Sequence, residues 1–323
     1  MPSRIRVETV RRSLQYAFYD WTRDMPRSKR FITWAAILIQ GYAIWFGLSR
    51  PQIWVWMWRE NKLGLYLGVF LLYLLGERVM HGMVTSEIVR KTQLEADQMA
   101  AQQIQKTLQP EKLEALVGYE IEVFYQPFRA VSGDYFDVMD LPGNRTLFAV
   151  ADVSGKGMPA ALLAANIQAL VRSLANVEGE PVVLANQINK HLSRYTPGNR
   201  FATAVFVVLS RDSGELTYVN AGHNAPMVFC DGSATSLEAT GVPMGLLNGA
   251  EYKAGAAIVP LGGTLLLFTD GLTDSIPGND PEGRLRGAIS DNPAKTMSNL
   301  KSLIDPRFKE DDITILLVKR TEP

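Results

Sequence analysis

The sequence has little cysteine and no net charge, and each absence excludes a class of protein. Cys230 is the only cysteine in 323 residues, which excludes an internal disulfide and a metal cluster held by several thiolates. The 33 basic and 33 acidic residues cancel, whereas nucleic-acid-binding proteins usually carry a basic excess. All six tryptophans lie within the first 58 residues, and none follows Trp58. Such an uneven composition indicates more than one kind of domain.

Long apolar runs occur near the N-terminus. Residues 31–48 carry no charge and, as a helix, would cross most of a hydrocarbon core of about 30 Å. A second run at 63–75 reaches span length if it extends to residue 80, and the tryptophans between the two runs fit a membrane surface. We therefore predict a transmembrane hairpin over 31–80, with spans about 31–48 and 63–80. Buried helices of a soluble domain are the alternative.

Basic residues predict the orientation of this hairpin. Residues 1–30 contain eight Lys and Arg residues against three acids, so this basic segment is expected in the cytoplasm. Two spans would return the chain to the cytoplasm, whereas a single span would leave the remainder outside.

A helical linker is predicted over 81–110. Residues 77–108 contain no proline and consist mostly of good helix formers, and Pro110 ends the pattern. Leu94, Ala101 and Leu108 recur every seven residues, which is a weak coiled-coil signal. The linker is either a signalling helix that pairs with a second subunit or a plain spacer, and both interpretations stay open.

Residues 111–323 alternate short strand-like and helix-like segments. The strand-like segments are rich in β-branched and aromatic residues, and they cover 119–126, 145–153, 202–210, 216–221, 263–270 and 313–320. Two helices are predicted to begin at a proline, over 159–175 and 181–195. No regular strand–helix–strand rhythm is present, which favours an α+β layered sandwich.

Several aspartates stand where apolar strands begin or end. Asp134 lies in AVSGDYFD, Asp152 and Asp270 end two strands, and Asp311 and Asp312 open the last strand. An unpaired carboxylate at the edge of a core is costly, so several acids converging there indicate a shared cation. Oxygen ligands select magnesium or manganese, and a pair of such ions can drive hydrolysis at phosphorus. For any one acid, a helix cap or a turn is the alternative.

The Gly-Lys-Gly in ADVSGKGMPAAL invites a phosphate-loop interpretation, which fails. Such a loop needs Ser or Thr after its lysine, and here Gly157 follows Lys156. We instead expect the glycines to let the backbone turn tightly after Asp152.

Five motifs occur in a fixed order: VSGDYFD, ADVSGKGMPAAL, NAGHNAP, TDGLTDS and DDITILLV. Together they resemble the SpoIIE-type serine/threonine phosphatases, the bacterial branch of the protein phosphatase 2C (PPM) superfamily. The resemblance covers about 100–320 and leaves the membrane hairpin outside. It implies a four-layer α-β-β-α sandwich over 111–323, with two manganese or magnesium ions at one edge.

The resemblance also implies roles for individual residues. Asp134 and Asp152 would bridge or hold the ions, and the backbone carbonyl of Val153 would add a ligand. Asp270 would hold one ion and Asp311 the other, with Asp312 as the fallback. Catalysis would then depend on Asp134, Asp152 and Asp270.

Four other residues need separate interpretation. The eukaryotic branch has a histidine where this chain has Ser154, so the proton donor for the leaving group is open. His223 in NAGHNAP is expected to be a packed, hydrogen-bonded turn residue rather than a ligand. Arg129 is a candidate phosphate contact, and Asp274 a candidate ligand for a further, weaker ion.

The predicted hairpin and the resemblance together imply a membrane-anchored, metal-dependent phosphoprotein phosphatase in which activated water attacks phosphoserine or phosphothreonine. Its expected partner is a phosphorylated regulator such as an anti-sigma factor antagonist, in a partner-switching pathway. The expected location is the bacterial inner membrane, with the N-terminus and the phosphatase domain in the cytoplasm and a homodimer formed through the linker. The alternatives are a catalytically silent, membrane-tethered interaction module and an enzyme acting on a nucleotide phosphoester.

Overall fold

The computed structural model describes residues 63–110, 116–196 and 200–321, together with isolated positions between 34 and 59. The basic segment 1–30 lies wholly outside the described residues, and the predicted span 31–48 lies mainly outside them. The chain divides into two compact units, Met1–Leu94 and Glu95–Pro323.

One continuous helix, α1 (Leu63–Leu108), contains both the second predicted span and most of the predicted linker. Large apolar side chains near its start are exposed, among them Leu67, Phe70 and Leu72. Among the described residues, the helix that is long and apolar enough to cross a membrane lies elsewhere, at Met158–Ala175, and 44% of it is buried. That finding rests on length and composition only, so the hairpin stays a prediction.

In the described part of the second unit, ten strands form two antiparallel five-stranded sheets. The strands are β1 (Tyr119–Gln126), β2 (Asp134–Leu141), β3 (Arg145–Val153), β4 (Ala202–Ser210), β5 (Glu215–Ala221), β6 (Met227–Cys230), β7 (Ser233–Ser236), β8 (Gly255–Ile258), β9 (Thr264–Phe268) and β10 (Ile313–Arg320). The first sheet has the order β1-β10-β9-β6-β7, and the second has the order β2-β3-β4-β5-β8.

Helices cover the outer face of each sheet. The second sheet packs against α2 (Met158–Glu178) and α3 (Pro181–Tyr195). The first packs against α4 (Asp270–Asp274), α5 (Pro281–Ala288) and α6 (Pro293–Leu303). A third apolar core, which includes Phe148 and Leu316, fills the space between the sheets. The predicted α+β sandwich with a helical layer on each side is therefore confirmed.

The strand β2 was not among the predicted strands, and its acids explain why. Asp137 is buried within it, where its carboxylate accepts hydrogen bonds from Arg172 of α2 at 2.7 and 3.3 Å and from the Tyr135 hydroxyl at 3.2 Å. A buried carboxylate is tolerated when such partners satisfy it. The partner lies on another element, so the local pattern gives no sign of this strand.

Candidate active site

A row of polar side chains crosses the second sheet at one end of the sandwich. Asp134 on β2 lies opposite Asp152 on β3, and Asp152 lies opposite Thr203 on β4. Residues paired in this way share a face of the sheet, and the next residues on that face, Phe136 and Val150, pack between the two sheets. Like charges directly opposite each other are destabilising, so this pair indicates a function other than stability.

Asp134 connects the two sheets. It is 4% exposed, and its Oδ2 accepts hydrogen bonds from the hydroxyls of Thr269 at 2.8 Å and Thr314 at 2.6 Å. Burial raises the pKa of Asp134 well above its ordinary value, and the neighbouring Asp152 carboxylate raises it further. The two threonine hydroxyls oppose this shift because they stabilise the ionised form.

Asp152 lies within electrostatic range of the other strand-end acids. Burial raises its pKa to about 7, and Asp270, Asp311 and Asp312 contribute to the increase, while Lys156 opposes it. In the described part of the chain no donor forms a hydrogen bond with the Asp152 carboxylate. The site therefore concentrates negative charge that the protein itself compensates only in part.

Asp270 is the first residue of α4. Burial raises its pKa, and Asp274 at the other end of this short helix and then Asp311 raise it further. The predicted strand over 263–270 ends earlier than expected, at Phe268, so Asp270 belongs to the helix rather than to the strand.

The adjacent acids Asp311 and Asp312 have different surroundings. Asp312 is 8% exposed, and its two carboxylate oxygens accept hydrogen bonds from the backbone N–H groups of Phe128 at 2.7 Å and Gly133 at 2.8 Å. The side chain of Asp311 is 32% exposed, and its Oδ2 lies 2.8 Å from the Nζ of Lys156. Asp312 thus fixes the loop that leads into β2, whereas Asp311 is the more accessible acid.

We expect Asp312→Ala to lower the free energy of unfolding by about 2–4 kcal/mol, because two backbone N–H groups would lose their acceptor. Asp311→Ala is the matched control, and it should cost no more than about 1 kcal/mol because its ion pair is partly exposed. Urea unfolding followed by far-ultraviolet circular dichroism would measure both, since every tryptophan lies before residue 60. Equal losses for the two variants would contradict this division of roles.

The turn after Asp152 has the tight geometry predicted for it. Gly155 and Gly157 adopt positive φ angles of 95° and 78°, which favour glycine. Ser154 is held by the segment before β4: its N–H donates to the carbonyl of Phe201 at 2.9 Å, and its Oγ accepts from the Phe201 N–H at 3.0 Å. The carbonyl of Val153 lies 3.2 Å from where a Cβ on Gly133 would stand.

Among the described residues, no three His, Cys, Asp or Glu side chains form a ready-made metal cage. Asp270 and Asp311 nevertheless raise the pKa of Asp152, and Asp311 raises the pKa of Asp270, which indicates that these carboxylates lie within electrostatic range of one another. Asp134 and Asp311 each have one carboxylate oxygen that contacts a donor of the protein itself, Thr314 and Lys156 respectively. The structure therefore supplies a set of oxygen donors rather than a closed cage.

The family model for stage II sporulation protein E (SpoIIE) matches residues 142–321 of this chain. The chain belongs to the SpoIIE family. The matched range contains Asp152, Asp270 and Asp311, whereas Asp134 lies just before it.

Two named relatives of this SpoIIE-family chain are phosphoserine phosphatases. It is 26% identical over 231 residues to the phosphoserine phosphatase RsbU of Bacillus subtilis, covering 68% of this chain and 69% of RsbU. It is 25% identical over 209 residues to the phosphoserine phosphatase RsbP of the same organism, covering 62% of this chain and 52% of RsbP. The chain thus spans about half the length of RsbP.

A solved structure shows the same fold as this SpoIIE-family chain. The SiaA-PP2C domain of Pseudomonas aeruginosa superposes with a TM-score of 0.62 at 20% identity, covering 72% of this chain and 99% of that domain. Together with the family match, this confirms the resemblance drawn from the motifs. The second unit is a PP2C-type serine phosphatase domain, and such phosphatases are hydrolases.

His223 of this SpoIIE domain is a packed turn residue, as predicted. It is buried, its Nδ1 lies 2.8 Å from the Thr203 hydroxyl, and its backbone N–H donates to the side-chain oxygen of Asn220 at 2.8 Å. Burial lowers its pKa to about 4, so the ring is neutral at pH 7. Its Nε2 has no partner within hydrogen-bond distance among the described residues, although the backbone of Phe268 lies close enough to oppose the fall in pKa.

Two arginines lie beside the turn that follows Asp152. The Nη1 of Arg129 lies 3.9 Å from where a Cβ on Gly157 would stand, and the Nη1 of Arg200 lies 3.3 Å from the same position on Gly155. Neither arginine forms an ion pair within the described residues. Sequence reasoning missed Arg200, because only the pairing of Phe201 with the turn brings that residue to the site.

Proposed function

We propose that this chain is a metal-dependent phosphoprotein phosphatase that hydrolyses phosphoserine or phosphothreonine in a regulatory protein. The observation that carries the proposal is the Asp134–Asp152 pair, which lies opposite across two strands with further acids close enough to raise the pKa of Asp152. A stable fold has no use for this repulsion, whereas a site for divalent cations requires it.

The donor set fits two manganese or magnesium ions because every donor is an oxygen. The groups that would hold the ions lie at the same end of the sandwich: Asp134, Asp152, the carbonyl of Val153, Asp270 and Asp311. Asp312 is disfavoured as a ligand relative to Asp311, since it is only 8% exposed and its two oxygens hold the backbone of the loop before β2. When bound, such ions supply an acidified water and neutralise charge that develops at phosphorus.

The protein's own residues position the donors and the substrate. Thr269 and Thr314 fix the carboxylate of Asp134, and they favour its ionised form. The Ser154 Oγ accepts from Phe201, which holds the turn in place. The exposed guanidinium of Arg129 is a candidate contact for phosphate oxygens, and Arg129→Ala should then raise the KM of a phosphoprotein.

Phosphate release from a phosphoserine protein by the purified full-length chain tests the function. We expect release that requires Mn²⁺ or Mg²⁺ and stops when a chelator is added. The catalytically silent interaction module is the second candidate. It would bind a phosphorylated partner yet release no phosphate with either metal, and that outcome would overturn the phosphatase proposal. Preference for a free nucleotide over a phosphoprotein would overturn the substrate class.

The proposed partner is a phosphorylated regulator of the anti-sigma antagonist class in a partner-switching pathway. The similarity to RsbU and RsbP supports it. Incubating the chain with such a phosphorylated antagonist from the same organism, and following its phosphate by mass spectrometry, tests this choice. If the chain dephosphorylates other phosphoproteins but not this antagonist, the proposed partner is wrong, whereas the phosphatase activity is supported.

We also propose that the chain is anchored in the bacterial inner membrane, with a cytoplasmic phosphatase domain and a homodimer formed through the linker. Exposed apolar side chains at the start of α1 support an apolar environment there. Near the other end of α1, Gln105 exchanges two hydrogen bonds with the backbone of Ser132, two residues before Asp134. This contact supports a signalling role for the linker. A periplasmic signal from a C-terminal reporter fusion would contradict the two-span arrangement.

A further inference from the structure

The ammonium group of Lys156 lies at one side of the cluster of acids formed by Asp134, Asp152, Asp270 and Asp311. Its Nζ lies 2.8 Å from the Oδ2 of Asp311, donates a hydrogen bond to the carbonyl of Glu310, and lies 5.5 Å from the ring centre of Phe128. The lysine stands in the tight turn that follows Asp152, so its backbone position is fixed from both sides.

Lys156 contacts Oδ2, one of the two oxygens through which Asp311 could bind a cation. The other oxygen, Oδ1, accepts a hydrogen bond from the backbone N–H of Asp312 at 2.9 Å. A divalent cation that binds Asp311 through Oδ2 would therefore have to displace the ammonium group or bind beside it. A divalent cation bound beside the ammonium group would be repelled by it. Solvent weakens this repulsion, because the side chains of Lys156 and Asp311 are each about one third exposed.

The charge of Lys156 also affects carboxylates other than that of Asp311. It lowers the pKa of both Asp152 and Asp270, whereas the neighbouring acids raise it. The lysine thus acts on three of the carboxylates that would hold metal, from a position that is not itself a ligand.

We propose that Lys156 is a built-in counter-ion of Asp311 that competes with the divalent cation and thereby weakens metal binding at this site. The proposal rests on the proposed function, because it assumes that Asp311 is a metal ligand. It assigns the lysine of the Gly-Lys-Gly stretch to the control of metal loading rather than to a phosphate loop.

Mn²⁺ titration of the metal-free, full-length chain by calorimetry tests the proposal without reference to activity. We expect Lys156→Met to lower the Kd for Mn²⁺ at the site that includes Asp311 roughly fivefold, the upper range for a partly exposed ion pair. Lys156→Arg keeps the charge and should bind Mn²⁺ as the wild type does. Lys190→Met removes an exposed lysine from α3 and should change nothing. Lys156→Gln gives a second neutral variant should Lys156→Met fail to fold.

Chemical labelling of Lys156 provides an independent measurement. Because the ammonium is held by Asp311 and the Glu310 carbonyl, Mn²⁺ should release it and accelerate its reductive methylation, as followed by mass spectrometry. Labelling of Lys190 should not respond to Mn²⁺.

The outcomes separate the two proposals. If the neutral variants bind Mn²⁺ no more tightly than the wild type, or if labelling of Lys156 slows with Mn²⁺, the counter-ion role is overturned while the phosphatase remains. If the wild type binds no divalent cation, both proposals fall.

Discussion

Asp152→Asn is expected to lower metal-dependent phosphate release by at least about 100-fold, because loss of a residue that merely supports a metal ligand already costs 10–100-fold. The substitution keeps the size of the side chain and removes its charge. Asp152 lies opposite Asp134 and interacts with Asp270 and Asp311, so no single replacement touches more of the site. Initial rates on a phosphoserine protein at saturating Mn²⁺ would measure the loss.

A matched control lies on the adjacent strand. Asp140 is an exposed residue of β2, and its carboxylate pairs with Arg211 at 2.6 Å, away from the acidic site. Asp140→Asn removes the same charge from the same sheet and should leave the rate nearly unchanged. Similar losses in Asp140→Asn and Asp152→Asn would indicate a general effect of charge, and an active Asp152→Asn would exclude this residue from catalysis.

Much of the fold could be predicted because its signals are local. The strands β1, β3, β4 and β10 match the predicted segments, since each is short, apolar and bounded by turn residues. Helices α2 and α3 begin within one residue of the predicted prolines. The acids near strand ends were also visible in the sequence, although Asp270 proved to begin a helix.

What could not be predicted depends on contacts between distant residues. Thr269 and Thr314 satisfy Asp134 from the opposite sheet, and no local pattern connects them to it. The resemblance favours Asp311 over Asp312 as a ligand, but no local pattern shows how their surroundings differ. Their roles separate only because the loop before β2 returns its backbone N–H groups to Asp312.

Metal should stabilise this protein strongly, and more at high pH than at low pH. The pKa of Asp152 is about 7 in the folded chain, against an ordinary value of 3.8. Between these values the folded state holds a proton that the unfolded state has released. The metal-free protein therefore loses stability as pH rises from about 4 to about 7, and the loss levels off above that range. Burial raises the pKa of Asp134 and Asp270 as well, so these two residues add to the loss of stability as pH rises.

A divalent cation replaces those protons, so its effect should grow as pH rises. At 100 times its Kd the cation contributes about 2.7 kcal/mol, which raises the Tm of a domain of this size by roughly 5–10 °C. Thermal unfolding at pH 5, 6, 7 and 8, with Mn²⁺ and with chelator, would measure this. Calorimetry in buffers of different ionisation enthalpy should show protons released on binding at pH 6. A shift in Tm that is equal at pH 5 and pH 8 would contradict the linkage.

Asp152→Asn should reverse the usual effect of a mutation on stability. Without metal at pH 8, the wild type holds an ionised Asp152 that burial and neighbouring acids disfavour, and asparagine removes that charge. The variant should therefore unfold at a higher temperature than the wild type at pH 8, and at nearly the same temperature at pH 4. With saturating Mn²⁺ the order should invert, because the variant loses a ligand. An aspartate that lowers the stability of its own fold until a cation arrives is retained for the chemistry that the cation permits.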